Sequence, residues 1–353
     1  MNAPAQFASV VTRPADLADA SEVARLEAFV AAYPGSTPFH RPAWCLAIAR
    51  GCGATLHVLL AERGADLIAI LPLHEIRSPL FGNALVSSGF AVGGGILGDA
   101  PALAEEALLL AKRLGCPTVE LRGGLLPGTG WKVDTDTYLG FRQDLQTDDE
   151  SQLLAIPRKQ RAEVRRGLAL ELDIEVGRSA ALTEAHYRVY AESVRNLGTP
   201  VFPRSLFTEV LEAFGEDADI LTVSHKGRAL SSVLSLYHQG VVLPYWGGGV
   251  ADARSWRANE RMYYALMCHA RATKGCHSFD FGRSKAGTGP AAFKKNFGFT
   301  PSELHYAKRT IDGGEIRDIN PLSPKYQMQI ALWQKLPLTV ANMIGPWISR
   351  GMG

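Results

Sequence analysis

Apolar and polar positions alternate first with a strand period and then with a helix period, and the order is repeated. Residues 8–12 (ASVVT) predict a first strand, and SEVARLEAFVAAY places Val23, Leu26, Phe29 and Val30 at helical spacing. PAWCLAIAR predicts a second, short helix. TLHVLLAE and DLIAILPLHEI are apolar runs joined at Arg63-Gly64-Ala65, the pattern of a hairpin. ALVSS predicts another strand, which VGGGILGDAP breaks. PALAEEALLLAKRLG then reads as a helix with Pro101 near its first turn, and PTVELRG as a strand.

In the second half RSLFTEVLEAFG predicts a helix. DILTVSHKGRALSSVLSLYHQGVVLPYWGGG reads as three strands, broken at Lys226-Gly227 and Gln239-Gly240. ANERMYYALMCHARATK predicts a helix over 258–274, and HSFDFGR a strand. Gly93-Gly94-Gly95, a helix and LGCPTVELRGG in the first half therefore match Gly247-Gly248-Gly249, a helix and KGCHSFDFGRS in the second. A strand, a glycine break, a helix and a strand occurring twice argue for duplication of one α/β unit. The expected division is 1–150, 151–313 and a tail of 314–353.

Composition narrows the class. Of 353 residues, 46% are hydrophobic and 20% charged, and the net charge is +2, so a core is available and a nucleic-acid partner is not indicated. The basic residues lie near glycine loops and form no stripe with interleaved aromatics, which weakens a nucleic-acid reading further. Five cysteines form no C-x-x-C. With no signal-like start and no apolar run of membrane-spanning length, they imply a cytoplasmic protein.

Familiar motifs fail on inspection. GRSKAGTG lacks the G-K-[ST] of a phosphate-binding loop, DFG at 280–282 has no preceding kinase catalytic loop, and G-x-S-x-G is absent. Cys268-His269 and Cys276-His277 do not have zinc spacing, so no metal is expected. What remains is a glycine-broken strand followed by a helix, with the next strand ending in FDFGRS. Ligands of open α/β sheets gather at such strand ends, and free N–H groups at a helix start hold phosphates. Between the halves, IPRKQRAEVRRGL places Arg158, Arg161 and Arg165 on one helical face with Arg166 beside them. That is either a solvated face or a grip on phosphate.

ESVRNLGTPVFPRSLF, ANERMYYALM, FDFGRSKAGTG and FKKNFGF, with IPRKQRAEVRRGL upstream, closely resemble the FemAB-like proteins, in particular the branch linked with the PEP-CTERM/exosortase system and exopolysaccharide gene clusters. The resemblance covers nearly the whole chain. It implies an α/β (α+β) fold of two tandem GNAT-like domains around a central cleft. The implied reaction is transfer of an acyl or aminoacyl group onto an amine of a cell-envelope or exopolysaccharide precursor. The donor would be acyl-CoA or aminoacyl-tRNA, and the acceptor a small molecule or a lipid-linked glycan or peptide. The family's F-K-x-x-F-G falls on Phe293–Gly298, which makes Lys294 the charge that would stabilise the oxyanion and brings in Lys295. Its basic segment falls on Arg158–Arg166, which includes Lys159. One departure is Arg257-Ala258-Asn259, where many CoA-using relatives carry Pro-Gly at the helix start.

Direct amide transfer requires a base and an oxyanion site and no covalent nucleophile. Asp280 alternates with Phe279 and Phe281 and points away from them, toward the cleft or toward a structural Arg. Glu192 is a candidate base, and Arg195 and Asn196 a candidate substrate clamp, although helix-surface solvation explains them equally. Tyr245 and Trp246 stack on a ligand or pack in a core. Gly247 and Gly248 admit a donor to the backbone, and Arg283, Ser284 and Lys285 leave the strand where phosphate would lie. The rival class is a catalytically silent binding module for an anionic glycan or lipid-linked intermediate. The tail carries Tyr326, Ile330, Trp333 and Leu336, then Met343, Ile344 and Trp347, with Lys325, Lys335 and Arg350. It either packs on the first domain or lies in the membrane interface, making the protein peripheral at the inner membrane face. Packing is preferred because interfacial helices usually carry more Lys and Arg.

Overall fold

The computed structural model describes residues 9–314 and 324–353. Ala8, where the first strand is expected to begin, and the side chain of Lys325 lie outside the described residues. In chain order the elements are β1 (Val10–Pro14), α1 (Ala20–Ala32), α2 (Pro42–Cys52), β2 (Thr55–Arg63), β3 (Asp66–Ile76), β4 (Ala84–Ser87), β5 (Leu97–Gly98), α3 (Ala102–Leu114) and β6 (Thr118–Arg122). They continue with β7 (Lys132–Asp134), β8 (Tyr138–Asp144), α4 (Asp149–Ala155) and α5 (Arg158–Leu168). The second series is β9 (Asp173–Gly177), α6 (Ala180–Leu197), α7 (Arg204–Phe214), β10 (Ala218–His225), β11 (Arg228–His238), β12 (Val241–Gly249), α8 (Ala258–Lys274) and β13 (Ser278–Asp280). After it come β14 (Ser284–Lys285), α9 (Gly289–Asn296), β15 (Pro301–Glu303), β16 (Tyr306–Thr310), α10 (Pro324–Gln334) and α11 (Leu338–Ser349).

The duplication is present element by element. The first sheet runs β1-β2-β3-β4-β6-β16 and the second β9-β10-β11-β12-β13-β8, each with one parallel pair, β4 with β6 and β12 with β13. The turns Lys226-Gly227 and Gln239-Gly240 form tight hairpins in which all four residues have positive φ. The sheets do not follow the expected division at 150 and 313. β8 leaves the first half to pair with β13, Arg142 opposite Asp280, and β16 returns to pair with β6, Lys308 opposite Glu120.

The units also share a core. Trp44 of α2 stacks on Trp246 of β12 at 5.6 Å between centroids, and Trp246 meets Phe207 of α7 edge-on. α2 and α7 cross so closely that a Cβ on Gly51 would lie 2.6 Å from the Cα of Leu206. Burying both Trp rings at this seam makes the pair of units one hydrophobic body.

Neutral histidines are built into this body. His74 Nδ1 accepts from Gly89 N–H (2.9 Å) while Nε2 donates to Cys45 O (3.0 Å). His40 Nδ1 accepts from Thr37 N–H (3.1 Å), and its Nε2 lies 3.2 Å from Gly95 O. His186, fully buried, has only Ser232 Oγ at 3.0 Å. Burial holds His40 and His74 down to about 4 and His186 to about 3. The unfolded chain therefore binds these protons first as pH falls from 6.5, and stability drops progressively to about pH 4. Urea midpoints measured from pH 7 to 4 check this, and a flat profile would contradict it.

α10 and α11 lie along α6. Ile330 seats on Gly198, where a Cβ would come within 2.3 Å of its Cγ2, and Gly345 seats against Val201. The tail also touches residues of the first unit, at Tyr326, whose ring stacks with Phe81, and at residues 350–353, where Gly351 meets Ser78 and Gly353 meets Ile76 and Phe90. The tail thus covers the second unit along its length and ties both units together at its ends.

Candidate functional site

In the second unit β12 and β13 run parallel for two residues only, Val241-Val242 against Ser278-Phe279. Beyond that they diverge. β12 bulges at Tyr245, which is the extra residue between the pairs Leu234–Trp246 and Ser235–Pro244. Among the described residues no strand pairs with the β12 edge from Leu243 to Gly249, so its backbone groups face the gap. α8 begins beside this edge with no cap from the Arg257 side chain; Glu260 in its first turn sets its carboxylate on its own N–H, and the helix start ahead of it is where an anion would meet N–H groups.

Asp280 stands where the strands part. Its neighbours Phe279 and Phe281 go into the core under α8, and Asp280 takes the opposite face, as alternation requires. Its Oδ1 accepts from Gly282 N–H (2.7 Å), fixing a turn in which Gly282 has φ +65°. Burial pushes the carboxyl above its ordinary range. The Gly282 N–H and the Arg142 and Lys294 charges oppose this only in part.

Lys294 is buried beneath the same turn. Its Nζ donates to the carbonyls of Phe281 (2.6 Å), Gly282 (3.2 Å) and Arg283 (2.9 Å), between the rings of Phe141 and Phe281. All three donors are thereby used, so the oxyanion role expected for Lys294 has no free N–H behind it. The ammonium clamps the segment that carries Asp280 and Arg283. Burial, with the nearby Arg283 charge, pulls it down to about 8, while Asp280 opposes the fall. Phe293, Phe297 and Phe299 of the same motif pack with Phe281 and Tyr263, which explains the aromatic spacing as core.

Arg283 reaches the seam between units. Its guanidinium lies over Tyr138 (4.7 Å) and donates to Tyr306 OH (3.0 Å), which donates in turn to Val92 O (2.7 Å). Lys285 Nζ also lies over Tyr138, at 5.4 Å. Ser284 is buried and pairs with Leu139 as strand, a structural place in contrast to the donor contact expected.

The first unit has the same splay, but its own chain fills it. Gly95 N–H donates to Arg122 O (2.9 Å), Ile96 bridges to Gly124 and Leu125, and a Cβ on Gly95 would lie 2.0 Å from Gly123 O. In register with Asp280 stands Glu120, bound by Arg122 Nε (2.7 Å) and Lys308 Nζ (3.4 Å). Burial would raise its carboxyl, but those two cations outweigh it and hold it at about 2. This wedge is closed and its acid is neutralised by partners.

Other expected residues divide. Trp246 is core, packed on Trp44, Phe202 and Phe207, and leaves no face for a ligand. Tyr245 joins that cluster, and its hydroxyl donates to Phe90 O (2.6 Å). The Gly247 and Gly248 side positions are occupied by Val233 of the neighbouring strand β11 and Ser193 of α6, so packing against β11 and α6 accounts for these glycines. Arg195 donates to Gln334 O (3.1 Å) and Asn196 O accepts from Gln334 Nε2 (3.1 Å). They hold the tail and are not a substrate clamp in this structure. Glu192 accepts from Ala251 N–H (2.9 Å), securing the turn between β12 and α8.

α5 has the expected basic face. Gln160, Val164 and Gly167 are buried, and Gly167 sits against Arg257 O at the start of α8. Arg158, Lys159 and Arg165 are exposed, and among the described residues they have no hydrogen-bond or ionic partner; Lys295 on α9 is the same. Arg166 and Arg257 both bind Glu163. Arg165 lies on the exposed side of α5, two residues before the Gly167 that adjoins Arg257, whereas Arg158 and Lys159 lie at the other end of α5, where Pro157 adjoins Gly298.

Residues 157–295 match the model of the acetyltransferase (GNAT) domain, a span that holds α5, the open wedge and Lys294. The structure of FemX superposes with TM-score 0.63 at 15% identity, covering 80% of this chain and 95% of FemX. A tandem GNAT protein from the clavulanic acid biosynthesis pathway gives 0.57 at 12%, covering 87% and 100%. The fold is that of two tandem GNAT-like units. The C-terminal DUF2156 domain of a putative lysylphosphatidylglycerol synthetase from Agrobacterium fabrum has a similar fold, with TM-score 0.54 at 15% identity over 82% of this chain and 92% of that one. No curated protein matches the chain in sequence. Among the described residues no group of three His, Cys, Asp or Glu is placed to hold a metal.

Proposed function

We propose that the protein is an N-acyltransferase whose second GNAT-like unit alone binds the donor. The open β12–β13 wedge beside the uncapped α8, against the filled wedge of the first unit, is the observation that carries this reading. The donor is an acyl or aminoacyl group on a phosphate-bearing carrier, acyl-CoA or aminoacyl-tRNA. Its phosphates meet the first N–H groups of α8 and the free Arg165. The acceptor is an amine of a cell-envelope or exopolysaccharide precursor, a class supported by the motif resemblance to the exosortase-linked branch. It enters from the seam lined by Arg283, Tyr138 and Tyr306.

The amine nitrogen attacks the donor carbonyl, and its proton passes to the Asp280 carboxylate. The oxyanion is held by N–H groups of the unpaired β12 edge, and its collapse breaks the carbonyl carbon's bond to the carrier sulfur or oxygen. The proton then returns to the leaving thiolate or ribose oxygen. Lys294 and Glu192 are positioning residues here: one clamps the Asp280 turn, the other the turn before α8.

Native mass spectrometry of the full chain with acetyl-CoA, and separately with aminoacyl-tRNA, tests the reading. One donor should bind at one per chain, and Arg165→Ala should weaken it about tenfold, the loss of a charge-assisted contact. If neither donor binds, the protein is a binding module and the proposal fails.

A further inference from the structure

The tail packs and still leaves an apolar face outside. α11 buries Ala341, Gly345 and Ser349 at steps of four, and the opposite stripe carries Met343 and Trp347. α10 sets Ile330 on Gly198 and turns Met328 and Leu332 outward. These four are the most exposed large apolar side chains described, at 74% for Met328, 73% for Met343, 67% for Leu332 and 61% for Trp347. Two more adjoin them. Leu197 is exposed beside the Asn196–Gln334 bond, and Leu80 lines a groove of about 140 Å³ with Trp347, Arg77 and Arg350. Loop 77–82 is fixed to the tail at both sides, through Phe81 on Tyr326 and Gly351 on Ser78, so helices and loop form one surface.

The charge carried by the tail itself is of one sign. Residues 324–353 contain no Asp or Glu. Lys335 and Arg350 are exposed with no ionic partner among the described residues, and Arg77 joins the rim while bound to Glu75. No described helix is long and apolar enough to cross a membrane. We infer that α10, α11 and loop 77–82 dock on the surface of an anionic bilayer. Met343, Trp347 and Leu80 sink to the headgroup boundary, and Lys335 and Arg350 meet lipid phosphates. A second copy is a poorer occupant, because a twofold contact through this face would set Lys335 and Arg350 against their like. The Gln334 edge of this surface is connected to the mouth of the wedge through α6. Arg195, which binds Gln334, is one turn along α6 from Glu192, which holds Ala251 just past β12. If the acyl-transfer reading holds, the acceptor amine is presented on a lipid.

Flotation of the full chain tests the surface, with vesicles of phosphatidylcholine alone and with about one-third phosphatidylglycerol. The parent should float with the anionic vesicles and weakly with the neutral ones. Met343→Ser with Trp347→Ser should cut partitioning about tenfold or more. Lys335→Gln with Arg350→Gln should abolish the preference for anionic lipid. All variants should keep the parent's melting temperature, because these side chains are exposed. No flotation of the parent, or equal flotation of the serine variant, overturns the inference. So does a parent dimer that the serine variant converts to monomer, since that assigns the face to a second copy. Flotation needs no turnover, so its failure leaves the donor wedge standing, and a donor-free wedge leaves this surface standing.

Discussion

Asp280→Asn is expected to slow acyl transfer by about 10²–10⁴-fold while leaving donor binding unchanged, the range for loss of a general base. Asn keeps an oxygen for the Gly282 N–H, so the turn at φ +65° survives the change. What disappears is the ability to take a proton. Burial has raised the Asp280 carboxyl, so the acidic limb of the parent's pH–rate profile should lie above the ordinary Asp value of 3.8. The carboxylate is the active form, and turnover must fall as pH drops through that limb. The Asn variant should have no such limb. Near-parent turnover in Asp280→Asn would reduce the carboxylate to a structural acceptor.

Lys294→Ala should lower turnover about a hundredfold, as expected when reacting groups shift by about 1 Å. It strips the donors from the carbonyls of Phe281, Gly282 and Arg283 and opens a void between Phe141 and Phe281. Both Asp280 and Arg283 ride on that segment. Lys294→Arg should not rescue, because a planar guanidinium cannot meet three convergent carbonyls as a compact ammonium does. A purely structural lysine would leave the pH profile alone. Here the Lys294 charge favours the Asp280 carboxylate, so its loss should move the acidic limb to higher pH. In the parent, turnover should also decline above about 8, where the neutral amine has two N–H donors for three carbonyls. Normal turnover with an unshifted limb in Lys294→Ala would remove Lys294 from the mechanism.

Local order was readable from the chain, and pairing across the chain was not. The glycine turns at Gly64, Gly227 and Gly240 and the α3 and α8 periodicities each depend on near neighbours, and each appears where the pattern puts it; the triplet Gly247–Gly249, expected to break its strand, instead forms the paired end of β12. The strand exchange rests on contacts such as Arg142 with Asp280, far apart in sequence, and YLGFRQD does not reveal which sheet it joins. The roles of Trp246, Arg195 and Asn196 depend on what packs opposite them: Trp44 from the first unit and Gln334 from the tail. Lys294 fits the motif, yet only the structure gives its three carbonyl partners. Laying CPTVELRGG on CHSFDFGRS puts Glu120 over Asp280, and the two acids mark the closed and the open wedge.

Hydrogen exchange of the full chain, with and without acyl-CoA or aminoacyl-tRNA, tests most directly the claim that one unit binds the donor. Protection on donor binding is expected along 243–262 and at 280–285, where β12, the start of α8 and the Asp280 turn line the open wedge. No change is expected at 93–98, which the chain's own bonds already fill. Protection at 93–98, or none along β12 with either donor, would contradict it.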